Sequence, residues 1–184
     1  MIGENGIPRS RTLASSWDTP QGMQYLVIAK LMILLTLANG SPVVAKRILR
    51  NNLSRPLDGN TKFFDGQPVF GSSKTVRGVV VSIVVTTACA PFLGLELKAG
   101  LLVGTAAMLG DLCSSFLKRR LGLAPSSRAI GLDQIPESFF PLLACWRALS
   151  LTVVDILVGT AIFFVGELLL SRVLFRLRIR DRPY

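Results

Sequence analysis

GVVVSIVVTTACAPFLGL (Gly78–Leu95) and AGLLVGTAAMLGDLCSSF (Ala99–Phe116) are two apolar blocks separated only by Glu96, Leu97 and Lys98. Each is close to the roughly 20 residues that a helix needs to cross a hydrocarbon core. Outward from this pair, Met23–Ala38 forms a third block. Ser138–Phe175 forms a longer run, broken by Arg147 and Asp155. That run exceeds one span and reads as two helices, Ile135–Ala148 and Leu151–Leu170, turning near Arg147. The fold class expected is therefore all-α: a polytopic membrane helix bundle of about five transmembrane helices, with a polar cytoplasmic loop between helices one and two.

Composition agrees with that reading. Half of the 184 residues are hydrophobic, and the mean hydropathy is +0.50. These values are too apolar for an ordinary water-soluble domain. One membrane domain over 1–184 is expected, with a polar N-terminal segment (1–21), cytoplasmic loops at 43–77 and 118–134, and a basic tail (172–184). The first block is expected to remain as a helix rather than be cleaved as a signal, because Lys30 interrupts it and about twenty polar residues precede it.

Lys and Arg orient the bundle. Lys46, Arg47, Arg50, Arg55, Lys62, Lys74 and Arg77 follow helix one, Lys118, Arg119, Arg120 and Arg128 follow helix three, and Arg172, Arg176, Arg178, Arg180 and Arg182 crowd the tail. The turns on the other side hold Lys98 and Arg147. The positive-inside rule then puts the amino terminus outside and the carboxyl terminus in the cytoplasm of a multi-pass protein of the cell membrane, although Arg9 and Arg11 count against it. The net charge of +10 suits membrane lipids, whose anionic heads attract such segments at about 1 kcal/mol per residue. Nucleic acid is not an expected partner, since no binding module is present. A homo-oligomer is left open.

The missing residue types narrow the chemistry. With no histidine, imidazole acid–base catalysis, Ser-His-Asp triads and histidine metal sites are ruled out. Cys89, Cys113 and Cys145 have no paired spacing and read as small apolar residues. No P-loop occurs. Carboxylates, hydroxyls and cations remain, and they suit a hard cation such as Mg²⁺ and a phosphorylated substrate.

Three constellations could carry such chemistry. In Gly110-Asp111-Leu112-Cys113-Ser114-Ser115-Phe116-Leu117-Lys118-Arg119-Arg120, helical spacing sets Ser114, Ser115 and Lys118 on the face of Asp111, a carboxylate inside the membrane boundary. A plain ion pair of Asp111 with Lys118 or a nearby arginine is the bland alternative. In Gly71-Ser72-Ser73-Lys74-Thr75-Val76-Arg77-Gly78, a helix start with two cations one turn apart offers donors to a phosphate, or simply an N-cap with snorkelling cations. In Gly131-Leu132-Asp133-Gln134, Asp133 reads first as a helix cap. Asp58 and Asp65 precede glycines and read as turn residues. Asn39, with Gly40-Ser41-Pro42, reads as the end of helix one, and Gly100 with Gly104 as a packing motif.

Taken in order, Ala38-Asn39-x-x-Pro42, Pro56-Leu57-Asp58-Gly59, Asp65-Gly66, Gly71-x-x-Lys74-Thr75-x-Arg77-Gly78, Gly110-Asp111-x-x-x-Ser115-Phe116-x-Lys118-Arg119-Arg120 and Leu132-Asp133-Gln134 resemble the CDP-archaeol synthases. These are small relatives of the CDP-diacylglycerol synthases. The resemblance implies a cytidylyltransferase that joins CTP to a lipid phosphate, giving CDP-lipid and pyrophosphate with Mg²⁺ as cofactor. It implies Asp111 and Asp133 as metal-binding carboxylates acting in catalysis with Lys118, and Lys74, Arg77 and Arg119 as phosphate ligands. Thr75 and Ser115 would contact substrate, and Asn39 and Asp65 would line the nucleotide pocket. The chain departs from the family at Ser72, Ser73 and Val76, and at Glu167 and Ser171, near which the family carries a His and an Asn. An archaeal ether lipid phosphate, phosphatidic acid and other alkyl phosphates remain as substrates. A small-solute transporter is the alternative of another class, favoured by Lys30 but opposed by the absence of a visible internal repeat.

Overall fold

The computed structural model describes residues 24–49, 54–124, 127 and 129–176. The polar segment 1–21 and the tail arginines Arg178, Arg180 and Arg182 lie outside the described residues. The architecture is the expected all-α bundle: α1 (Tyr25–Leu49), α2 (Val76–Cys89), a 3-10 turn at Pro91–Leu93, α3 (Leu97–Arg120), α4 (Gln134–Ala144) and α5 (Val153–Arg176). Among the described residues, two isolated bridges, Pro56 with Thr75 and Lys62 with Pro68, are the only β-type pairing. Among the described residues, four helical segments are long and apolar enough to cross a membrane: Tyr25–Leu49, Val76–Leu93, Leu97–Arg120 and Val153–Arg172.

Helix one does not stop at Ala38, as its apolar block suggests, but continues to Leu49 with Pro42 inside it. Asn39 is therefore mid-helix, not a helix end. A proline at this position leaves the carbonyl four residues back without its N–H donor, which would be costly inside a membrane. That carbonyl is Ala38 O, and Ser82 Oγ of α2 donates to it at 2.9 Å. The hydroxyl repairs the ladder and joins the two helices.

Glycines set how closely α2 and α3 approach. A Cβ on Gly100 would lie 2.6 Å from Thr86 O, and one on Gly104 would lie 2.1 Å from Thr86 Oγ1. Both are packing residues, as the spacing predicts.

The fourth passage differs from the expected helix Ile135–Ala148. α4 has 11 residues, about 16 Å at 1.5 Å per residue, or half a hydrocarbon core. Turns complete the passage: Trp146 N donates to Leu143 O at 3.2 Å, Leu149 N to Cys145 O at 2.9 Å, and Ser150 adopts φ +51°. The chain then stands beside the start of α1, where Gln24 Nε2 donates to Ser150 O at 2.9 Å. At the same end Thr152 and Asp155 form a reciprocal cap on α5: Thr152 N donates to Asp155 Oδ2 at 2.8 Å, and Asp155 N donates to Thr152 Oγ1 at 3.1 Å. Gln24 N donates to Asp155 Oδ1 at 3.0 Å. α1 and α5 therefore start together and run parallel, and the chain traverses the bundle five times. The loop before α2, the end of α3 and the start of α4 all fall at the opposite end.

Lys30, the residue that favoured a transporter, points its ammonium toward Gly94, after the turn that follows α2. It serves the far end of the bundle rather than a midplane site.

Candidate active site

At the end where α1 and α5 finish, a cavity of about 310 Å³ is lined by Ser73 and Lys74 before α2, Asp111, Ser115, Lys118 and Arg119 from α3, and Asp133, Gln134 and Glu137 at the start of α4. Glu167 and Ser171 of α5 close it. Two close approaches build it. A Cβ on Gly110 would lie 2.2 Å from Pro136 O and 2.9 Å from Glu137 Cα, so only glycine lets α3 and α4 meet there and bring Asp111 alongside Glu137. The second is the loop 54–75, held by Asp58. Its Oδ2 accepts from Gly71 N at 2.8 Å and Phe70 N at 3.0 Å, and its Oδ1 accepts from Asn60 N at 3.0 Å. Partial burial pushes the Asp58 pKa up, but the donors from Gly71, Phe70 and Asn60 outweigh it and hold the carboxyl below its ordinary range. The turn residue read from Asp58-Gly59 thus also fixes Gly71-Ser72-Ser73-Lys74.

Charges in the cavity are paired crosswise. Lys74 Nζ donates to both oxygens of Asp111, and Lys118 Nζ pairs with Asp133 Oδ1 at 2.7 Å and donates to Ser127 O at 3.0 Å. The simple Asp111–Lys118 pair is not what forms. Nor does Asp133 cap α4: its backbone is already helical and its side chain makes no cap hydrogen bond. Its Oδ2 accepts from Ala129 N at 3.1 Å instead. Arg119 is 3% exposed. Its Nη2 donates to Ala124 O at 2.8 Å, while Nε and Nη1 meet no hydrogen-bond partner among the described residues. A buried guanidinium with open donors is prepared for an anion.

Of the residues singled out in the sequence, Asp111, Asp133, Lys74, Lys118, Arg119 and Ser115 come together in this cavity. Four lie elsewhere. Thr75 Oγ1 caps α2, accepting from Gly78 N at 3.2 Å. Arg77 is buried in the first turn of α2. Asp65 pairs with Arg120 Nη1 at 3.1 Å, outside the cavity lining. Arg120 Nη2 also donates to Pro68 O at 2.7 Å, and its guanidinium lies 4.7 Å from the Phe63 ring and 4.8 Å from the Phe116 ring. Asp65 and Arg120 thus tie the loop to α3. Asn39 lines a second, more apolar cavity between α1 and α5. Glu137 was not read from the sequence. It is buried and lines the same cavity as Asp111.

The donor set is all oxygen and nitrogen, with four carboxylates, Asp111, Asp133, Glu137 and Glu167, facing three cations. Among the described residues no group of three or more carboxylates, cysteines or histidines is gathered closely enough to enclose a metal ion. Mg²⁺ does not need such a cage, since it usually takes one or two carboxylates and fills its octahedron with water and substrate phosphates. The adjoining Asp111 and Glu137 fit that requirement.

Known proteins resemble this chain. A CDP-archaeol synthase of Sulfurisphaera tokodaii is 35% identical over 167 residues, covering 87% of this chain and 97% of its own. One from Pyrobaculum calidifontis is 33% identical, over 80% of this chain and 90% of its own. A solved structure of an intramembrane enzyme for archaeal membrane lipids biosynthesis superposes with a TM-score of 0.68 at 25% identity, covering 82% of this chain and 94% of that one. The model of the CarS-like CDP-archaeol synthase family matches residues 23–184, and the chain, a multi-pass membrane protein, belongs to that family.

Proposed function

We infer that this protein is a membrane-embedded CTP-dependent cytidylyltransferase that converts a lipid phosphate and CTP to CDP-lipid and pyrophosphate, with an archaeal ether lipid phosphate as substrate. Beyond family membership, the observation that carries the reading is one polar cavity at the membrane face of an apolar bundle, in which carboxylates and cations alternate. A phosphate monoester oxygen of the lipid attacks the α-phosphorus of CTP, the bond from that phosphorus to the bridging oxygen breaks, and pyrophosphate leaves. The nucleophile is already ionised, so no general base is needed, in keeping with a chain without histidine.

Lys74, Lys118 and Arg119 bind the phosphates, with the open Arg119 donors taking an oxygen directly. Asp111 and Glu137 would hold Mg²⁺, which when bound neutralises developing charge on the phosphates, and Asp133 would orient Lys118. Lys74 and Lys118 keep these carboxylates compensated and transfer their hydrogen bonds to the nucleotide when it arrives. The cavity opens to the cytoplasm of the cell membrane, where CTP is available.

The test is pyrophosphate release from CTP by the purified protein in detergent with Mg²⁺, across an ether-linked isoprenoid lipid phosphate, phosphatidic acid and an alkyl monophosphate. Release with the first above the others is expected. Release with none would end the functional reading, and preference for phosphatidic acid would end the substrate assignment.

A further inference from the structure

Leu102, Leu109 and Phe116 follow one another at seven-residue intervals along α3 and therefore share one face of that helix. Both leucines are exposed on a helix long and apolar enough to cross a membrane, so this is the face that α3 turns to lipid. Phe116 and Arg120 lie about 140° and about 180° around the helix from Asp111, at about 100° per residue, and so point away from the polar cavity. The loop 54–75 is fastened to this outer face. Phe63 packs edge-on against Phe116, with ring centroids 5.3 Å apart, and the Arg120 guanidinium lies over both rings. The loop's tip is a closed turn in which Gly66 N donates to Phe63 O at 2.9 Å and Phe63 N donates to Gln67 O at 2.8 Å. Polar residues usually occupy such positions, yet Phe64 sits here 100% exposed. Its ring centroid lies 5.0 Å from that of Phe63, which continues the aromatic row from Phe116. The acids of the loop are engaged: Asp58 by backbone donors, and Asp65 by Arg120 and by Gln67 N. Arg55 and Lys62 are exposed. An exposed aromatic ring flanked by cations at the end of a membrane helix suits the headgroup level of a bilayer, where the ring meets acyl chains and the cations meet anionic heads. A nucleotide in the polar cavity would lie on the other face of α3.

We propose that the tip of the loop 54–75 is a membrane-surface anchor: Phe64 enters the lipid headgroup boundary at the site end of the bundle, and Arg55 and Lys62 meet anionic lipid heads beside it. The anchor holds the loop from outside while Asp58 holds it from within. Ser73 and Lys74, at the far end of the same loop, are thereby fixed relative to the bilayer as well as to α3.

The experiment places one indole at the tip. Trp17 and Trp146 are the two native tryptophans; both are replaced by phenylalanine, and Phe64→Trp is added to the full chain. An exposed position accepts the larger ring, and thermal unfolding checks the fold. The protein is reconstituted into vesicles of phosphatidylcholine and phosphatidylglycerol whose acyl chains carry bromine either near the headgroup or near the terminal methyl. Bromine near the headgroup should quench the indole by about half or more, bromine near the methyl end should quench it less, and acrylamide in the water should reach it poorly. Full access to acrylamide with no quenching by either lipid would overturn the proposal, as would an emission that responds to CTP and not to brominated lipid. The fluorescence is read without turnover, so it decides the seat of the tip whether or not the cytidylyltransferase reading holds. A second arm measures proteolysis within 54–75 in the same vesicles without bromine. Phe64→Ser should be cut about threefold faster than wild type or more, and Phe64→Leu, which keeps an apolar group for the bilayer, should stay near wild type. A serine variant cut no faster than wild type, or a leucine variant cut as fast as the serine variant, would overturn the anchor.

Discussion

Asp111 and Asp133 each face a lysine from another segment, Lys74 and Lys118 respectively, so each carboxylate is compensated before any ligand arrives. Asp111→Asn keeps the shape and removes the charge. With Asp111 as a metal-binding group, turnover should fall about a hundredfold or more, equivalent to roughly 2.7 kcal/mol of transition-state stabilisation, while the protein inserts and elutes as wild type does. Pyrophosphate release within threefold of wild type would remove Asp111 from the machinery. Glu137→Gln should raise the Mg²⁺ concentration needed for half-maximal activity about tenfold or more, read from a Mg²⁺ titration at saturating CTP. An unchanged titration would leave Glu137 a packing residue. Asp111 was legible because a carboxylate inside an apolar helix demands a reason. Glu137 was not, because an acid in the first turn of a helix already has one in the helix dipole. Only the contact between α3 and α4 shows that it turns toward Asp111.

The seam between α3 and α4 and the loop before α2 carry the site at the level of elements. Gly110→Ala drives a methyl group into the Pro136 carbonyl. The cost should be about 1–3 kcal/mol of stability, seen as a lowered unfolding temperature, with activity lost because Asp111 and Glu137 part. A variant as stable and as active as wild type would show that the seam tolerates separation. In the loop, the depressed Asp58 pKa stabilises the fold above the ordinary carboxylate value of about 3.9, and this contribution disappears as pH falls through the lower folded value. Limited proteolysis within 54–75 should therefore be unchanged from pH 8 to pH 5 and increase as pH drops toward 3, with Asp58→Asn already cleaved faster at neutral pH. Equal cleavage of both proteins at every pH would show that Asp58 does not hold the loop. The apolar blocks located the helices but misjudged their ends. An apolar block does not mark the end of α1, because a proline inside a helix is tolerated when a neighbour such as Ser82 satisfies the freed carbonyl. The shortness of α4 was hidden because turns at Cys145–Ser150 use the same apolar residue types as a helix would.

For the whole molecule, the crossing count and the position of the site are the same question. Gln24 bonds to Ser150 and Asp155 at one end, while Lys74, Lys118 and Asp133 meet at the other, which requires five traverses even though α4 alone is too short for one. Lys46, Arg47, Lys74, Arg77, Lys118, Arg119 and Arg120 belong to the site end, and Lys98 and Arg147 to the other. On the positive-inside rule we propose that the cavity faces the cytoplasm. In a background free of Cys89, Cys113 and Cys145, Ser73→Cys and Ser127→Cys should react with a membrane-impermeant maleimide only from the cytoplasmic face, and Glu96→Cys only from outside. Reaction of all three from one face would mean that neither α2 nor α3 crosses. Reaction of the Ser127→Cys variant from outside, with Ser73→Cys still cytoplasmic, would put Asp133 and Lys74 on opposite sides of the bilayer, and the paired charges could then belong to no common active site.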